Sequence, residues 1–121
     1  MGNTIDINGL ASEKYIYLTT LGRITRKLHT VELWFAVAEE KIYLSHEGDY
    51  MDWMKNILKD ANVEFEIRDI KLKGKAKIVE KGKAFEIGKH ALYRKYYGEA
   101  NEDVIDDWFS ESTVIEISLI K

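Results

Sequence analysis

Thr30-Val31-Glu32-Leu33-Trp34-Phe35-Ala36-Val37-Ala38, followed by Glu39-Glu40-Lys41 and then Ile42-Tyr43-Leu44-Ser45, is the stretch on which the fold turns. Its first part is β-branched and aromatic and reads as a strand; Ile42–Ser45 reads as another. The polar tripeptide between them is too short for a crossover, so the two strands pair antiparallel as a hairpin. Upstream, Tyr15–Thr20 is a further strand, joined to the first by a turn over Leu21–Arg26 that contains Gly22. Downstream, Gly48-Asp49 breaks the pattern and the apolar period changes to that of a helix, with Tyr50, Met54, Ile57 and Leu58 on one face as far as about Asp60. Asp49 is the expected cap, and Asp52 in the first turn suits the helix dipole. Val63–Arg68 alternates cleanly and Ile70–Val79 follows it, giving two more strands. Lys83–Tyr97 returns to helical spacing, with Phe85, Gly88, Leu92 and Tyr96 in a row, and Gly98 stops it. Asn101 caps a short acidic helix carrying Val104, Ile105 and Trp108, and Thr113–Ile120 is the last strand. The order β-β-β-α-β-β-α-α-β, with mostly short links, predicts a mainly β, α+β domain. Its expected form is a six-stranded antiparallel barrel, closed or partly open, with three helices. A Rossmann sheet is excluded by the missing βαβ alternation and glycine fingerprint.

The 121 residues fit one domain, 1–121, large enough to bury a core without staples. The chain has no cysteine, proline or glutamine. That removes disulfides, Cys-ligated metal and thiol redox chemistry, so electron transfer would require a bound cofactor. A Lys-, Glu- and Ile-rich composition of this kind also occurs in hyperthermophile proteins. No apolar run reaches the ~20 residues of a membrane span, and Met1–Leu10 has neither the basic nor the apolar region of a secretory leader. A cytoplasmic protein without membrane contact is expected.

The net charge of −3 conceals blocks. Residues 70–95 carry nine basic and two acidic side chains, whereas 96–120 carry seven acidic and no basic ones. In Ile70-Lys71-Leu72-Lys73-Gly74-Lys75-Ala76-Lys77-Ile78 every lysine is odd-numbered, which places all four on one solvated strand face. The aromatic pattern of RNA-binding sheets and a basic recognition helix are both missing, so nucleic acid is not the expected partner.

His29, His46 and His90 lie far apart in sequence, without a His-x-x-x-His pair, and no metal site is expected. The nucleophile elbow and the Walker loop are absent. Two polar clusters remain. Gly22–Thr30 packs Arg23, Arg26, Lys27, His29 and two threonines into a turn that can converge on a phosphate; a solvated basic turn has the same composition. Ser45-His46-Glu47-Gly48-Asp49 leads into a helix N-terminus, which can hold an anion or simply be capped by Asp49.

Taken together, Thr19-Thr20-x-Gly22-Arg23-x-Thr25-x-Lys27-x-His29-Thr30, Ile42-Tyr43-Leu44-Ser45, Gly48 and Asp52-Trp53-x-x-Asn56 resemble the deazaflavin-dependent nitroreductase family. That family belongs to the FMN-binding split barrels related to pyridoxamine phosphate oxidase. The resemblance implies a split barrel, a homodimer that completes the site, and a deazaflavin (coenzyme F-420) or FMN cofactor. It further implies hydride transfer to a small electrophilic substrate such as a quinone, an enone or a nitro compound. By the same resemblance, Arg23, Lys27 and His29 would hold the cofactor phosphate and tail, with Thr25 and Thr30 adding hydroxyls. Ser45, His46, Glu47 and Gly48 would follow the ring edge, Trp53 and Asn56 would fix the helix beside it, and Tyr93, Tyr96 and Tyr97 would line a substrate pocket. No catalytic acid or base is assigned.

Three positions depart from the family pattern. Ile24 stands where lysine is usual, Arg26 where glycine is, and Leu28 where proline is. Arg26 either reshapes the turn or is strained there if its φ is positive. Two other readings use the same residues: a non-catalytic flavin- or heme-binding split barrel, and a nucleic-acid-binding barrel acting through the Lys71–Lys77 face.

Overall fold

In the computed structural model, which describes residues 7–120, the decisive stretch is divided at Phe35. Residues 1–6, on which most of the leaderless reading rests, lie outside this description. The strands are β1 (Tyr15–Leu21), β2 (Leu28–Trp34), β3 (Ala36–Ala38), β4 (Lys41–Glu47), β5 (Asn62–Ile67), β6 (Ile70–Val79) and β7 (Ser112–Leu119). The helices are α1 (Asp52–Lys59), α2 (Lys83–Tyr97) and α3 (Glu102–Trp108), and a 3-10 turn over Ile7–Leu10 precedes β1. There are thus seven strands, where six were expected, because Thr30–Ala38 is two strands and not one.

The sheet order β2-β1-β5-β6-β7-β4-β3 explains the division. β2 and β3 are its opposite edges, yet only Phe35 separates them in the chain. The sheet must therefore curl until its edges meet, which makes a barrel split between β2 and β3. All the pairings are antiparallel. The β3–β4 and β5–β6 hairpins turn on Glu39-Glu40 and Arg68-Asp69, all four with φ between 50° and 63°. Positive φ at both loop residues is the geometry that matches strand twist.

Ile16, Leu18, Ile42, Leu44, Ile67, Ile115 and Ile117 point into the barrel and are fully buried, each worth about 1.5–3 kcal/mol against exposure. α1 closes one end of the barrel through Trp53, Met54 and Ile57. Leu58, expected on this face, is 64% exposed; the buried arc is rotated toward Trp53 and Asn56. A second core lies outside the barrel, where Leu92 of α2, Ile105 of α3 and Phe109 pack with Tyr43 and Val114. This is why β7 is buried on both faces from Thr113 to Ile117. Gly88 permits the close approach, since a Cβ there would lie 2.7 Å from both Tyr43 and Val114 side chains. As expected, the Asn101 side chain caps α3 by accepting from the Val104 N–H at 3.0 Å. The four lysines of β6 are exposed on one face. Lys71, Lys73 and Lys77 stand opposite Glu66, Glu64 and Glu116, so the basic stripe is locally balanced.

The barrel seam is fastened by α2. The Phe35 N–H donates to Tyr96 Oη at 3.0 Å, and Lys95 Nζ donates to the Phe35 carbonyl at 2.8 Å and to the Glu13 carbonyl. The same ammonium sits 3.8 Å from the centre of the Phe35 ring. Burial pulls the Lys95 pKa down to about 8, below the ~10.4 of a free lysine. Between those values the unfolded chain binds a proton that the folded chain does not, so stability rises with pH across that window and the gain is lost as pH falls through about 8. Tyrosines such as Tyr43, whose pKa is raised chiefly by burial, oppose this once pH passes about 10. Denaturant unfolding at about pH 7.5 and pH 9.5 is expected to show the gain in the native chain and to lack it in Lys95→Met.

Candidate cofactor site

The turn between β1 and β2 is held by its own backbone. The Gly22 N–H donates to the Lys27 carbonyl at 2.7 Å, and the Arg26 N–H to the Gly22 carbonyl at 2.9 Å. Thr25 Oγ1 accepts from the Lys27 N–H at 3.2 Å and lies 3.0 Å from His29 Nε2. Gly22 is required by space, because a Cβ would come within 2.9 Å of the His29 ring and closer still to Thr25 Oγ1. Arg26 has φ 60°, the left-handed conformation that favours the glycine of the family pattern, at a strain of roughly 1 kcal/mol.

Asn56, buried in α1, ties this turn to the barrel. Its Oδ1 accepts from the Arg23 N–H at 3.1 Å and from Arg23 Nη1 at 2.9 Å, and its Nδ2 donates to Thr20 Oγ1 at 3.1 Å. The Arg23 guanidinium is thereby laid along the first turn of α1, where it also meets the Asp52 carboxylate at 3.4 Å. Asp52 is 88% exposed, so this ion pair is solvent-screened and weak. The N-terminal residue of α1 is flanked by Met51, and no side chain caps it. Asp49, the expected cap, does not serve.

Around these groups is an open cavity of about 450 Å³. Arg23, Thr25, His29, Thr30, Trp53 and Asn56 all line it, which brings together six of the eleven residues assigned to the cofactor by resemblance. Thr30 also shares a 2.7 Å hydroxyl contact with Thr19 across β1 and β2. Lys27 lies in the adjoining turn and is exposed. Ser45, His46 and Glu47 are on β4, paired with Val114, Thr113 and Ser112 of β7. Gly48 lines a separate cavity of about 670 Å³ together with Asp49, Glu86, Lys89 and Asp106. Tyr93, Tyr96 and Tyr97 do not reach the Arg23 cavity either. Tyr96 stacks on Trp34 with ring centres 4.2 Å apart, and Tyr97 packs on Tyr93 and Trp108, forming an aromatic wall at the end of α2.

The cavity also has lining that the sequence reading did not assign to it: Ile24, Val31, Met51 and Asp52. Ile24 is 81% exposed, and beside the turn Leu28 is exposed as well. Both exposed apolar side chains were visible as the departures at 24 and 28. Ile24 lines the cavity together with the Arg23–Asp52 pair, and Leu28 lies outside it.

Three solved structures show what this arrangement is similar to. A conserved hypothetical protein of Mycobacterium tuberculosis superposes with a TM-score of 0.80 at 19% identity, over 100% of this chain and 82% of that one. The chain has the split-barrel fold. A protein described as an F-420 reductase matches the split barrel with a TM-score of 0.67 at 19% identity, over 99% of this chain and 97% of that one. HutZ, the heme storage protein of Vibrio cholerae, matches it with a TM-score of 0.69 at 11% identity, over 95% and 88%. No protein-family model and no curated protein matches the sequence. The resemblance read between Thr19 and Asn56 and the likeness of this split barrel thus point to the same group of structures.

Proposed function

We propose that this split barrel is a flavin- or deazaflavin-dependent oxidoreductase that passes a hydride to a small electrophilic acceptor. The observation that carries the reading is the Arg23 guanidinium, anchored by buried Asn56 at the uncapped N-terminus of α1, inside a cavity whose remaining lining is largely apolar. A helix N-terminus and an arginine together form an anion site, while Ile24, Val31, Met51 and Trp53 offer apolar surface to a planar ring. The cofactor, when bound, supplies the hydride chemistry; the protein supplies position and electrostatics. Arg23 would neutralise the phosphate, with Thr25, His29 and Thr30 donating to its oxygens, and Lys27 would meet the tail from the turn. Exposed Ile24, Leu28 and Met51 are surface that a second copy would cover, and we take the working form to be a homodimer.

The test is a titration of the purified chain with FMN and with coenzyme F-420, followed by visible absorbance. Saturable binding of one of them is expected. Arg23→Ala should weaken it about 10- to 100-fold, the value of a charge-assisted contact of roughly 1.5–3 kcal/mol, with an unchanged circular dichroism spectrum. A chain that binds neither cofactor, or an Arg23→Ala variant of native affinity, would overturn the assignment.

A further inference from the structure

α2 and α3 bring together three metal-ligating side chains that have no part in the Arg23 cavity. Glu86 and His90 are four residues apart on α2, one turn on the same helix face, and Glu102 opens α3 beside them. One ligand atom from each lies within 4.8 Å of the others. His90 Nδ1 is 2.6 Å from the Glu86 carbonyl oxygen, so this nitrogen carries the proton and donates it. That leaves Nε2 as the ligand nitrogen, and the Glu102 carboxylate oxygen stands 2.7 Å from it. At that separation the two atoms share a proton; a metal ion takes its place once they move apart to the ligand spacing. A backbone carbonyl on Nδ1 is the support that orients a metal-binding imidazole.

We propose that Glu86, His90 and Glu102 bind one divalent ion of the zinc class, with a fourth position open to solvent. One nitrogen and two carboxylate oxygens is a donor set that suits zinc and its neighbours. At bond lengths of 2.0–2.2 Å, tetrahedral ligand atoms lie about 3.3 Å apart. The three groups reach this by small rotations, which both glutamates, about half exposed, are free to make. Glu86 also pairs with Lys89 at 2.9 Å, but Lys89 is held independently by Asp106 and stays neutralised when Glu86 turns to the ion. Glu86 and His90 also line an open groove of about 400 Å³ with Glu39 and Arg94, so two of the three ligands are reached from solvent. The proton is the competitor, because a ligating imidazole must be neutral. A bound ion would pin α3 to α2.

The probe is Co²⁺ added to the purified chain in chelator-free buffer at about pH 8, with displacement by Zn²⁺. Visible d–d absorption saturating at one equivalent is expected, together with a rise in melting temperature on adding Zn²⁺. Glu102→Gln and His90→Ala should each weaken binding at least tenfold, and Glu99→Gln, at an exposed carboxylate outside the group, should leave it unchanged. Glu102→Gln alters an exposed carboxylate and keeps an acceptor for His90, so it reports on the metal even if His90→Ala is poorly folded. No saturable spectrum up to about 1 mM metal, a site far weaker than specific binding requires, would overturn the proposal. So would a spectrum indifferent to Glu102→Gln.

Discussion

Asn56→Leu is expected to destabilise the protein by about 3 kcal/mol and to lower cofactor affinity at the same time. The shape of the side chain is nearly kept, so α1 continues to close the barrel. What is lost is polar: the Arg23 N–H, the Arg23 guanidinium and the Thr20 hydroxyl each lose a partner. Thr20 and Asn56 are 1% and 4% exposed, and water cannot easily take over. Stranding a buried polar group costs about 1–3 kcal/mol, and two such groups give the estimate. In a domain of this size that is a fall in melting temperature of roughly 10–15 °C. Released from Oδ1, the guanidinium keeps only its exposed pairing with Asp52 and loses its fixed direction. Asn56→Asp separates the two effects, because the carboxylate still accepts from Arg23 while Thr20 Oγ1 can turn and donate. It should recover most of the cofactor affinity. A Leu variant as stable as the native chain, or an Asp variant as impaired in binding as the Leu one, would show that Asn56 does not position Arg23.

The two variants turn on a link that could only be half read from sequence. Asn56 was legible as a site residue through its spacing from Trp53, but its direction was not. A pattern gives the face of a helix and not which neighbour its amide finds, and Arg23 lies 33 positions away. The same limit explains the fold. Alternation located six strand regions and antiparallel turns, yet the break at Phe35 carries no local signal: there is no glycine or proline, and the apolar run continues from Leu33 to Ala38. It is imposed by closure of the sheet, a property of all seven strands. The cap of α1 failed for a related reason. Asp49 has the right chemistry, but the chain runs extended to Met51 before the helix begins. Conversely, the strain expected at Arg26 was readable because left-handed backbone is a local property, and φ there is 60°. The Glu86, His90 and Glu102 group has only half its pattern in sequence, a Glu-x-x-x-His pair on one helix completed by a residue on the next.

Because closure rests on a single residue between two edges, Phe35→Ala is expected to have the largest effect of any single substitution considered. Phe35 is fully buried, and truncating such a phenylalanine typically costs 3–5 kcal/mol. Here the ring also faces the Lys95 ammonium at 3.8 Å, an interaction worth about 0.5–2 kcal/mol. The expected loss is therefore about 4–5 kcal/mol, against a total stability of about 5–15 kcal/mol for a domain. The distribution of the damage matters more than its size. The Phe35 backbone is gripped by Tyr96 and Lys95, and Trp34 next to it stacks on Tyr96. Loosening the joint should release the end of α2 before it affects β5 and β6, which lie on the far side of the sheet. Amide hydrogen exchange should accelerate first at 92–97 and at 34–38, while 62–67 and 70–79 keep their protection until global unfolding. Phe35→Leu, which retains most of the apolar volume, should lose about half as much stability and show the same order. Uniform acceleration along the chain would mean that Phe35 is an ordinary core residue and that the seam is held elsewhere. Acceleration confined to the β2–β3 joint, with α2 unchanged, would mean that the helix docks independently of the two edges.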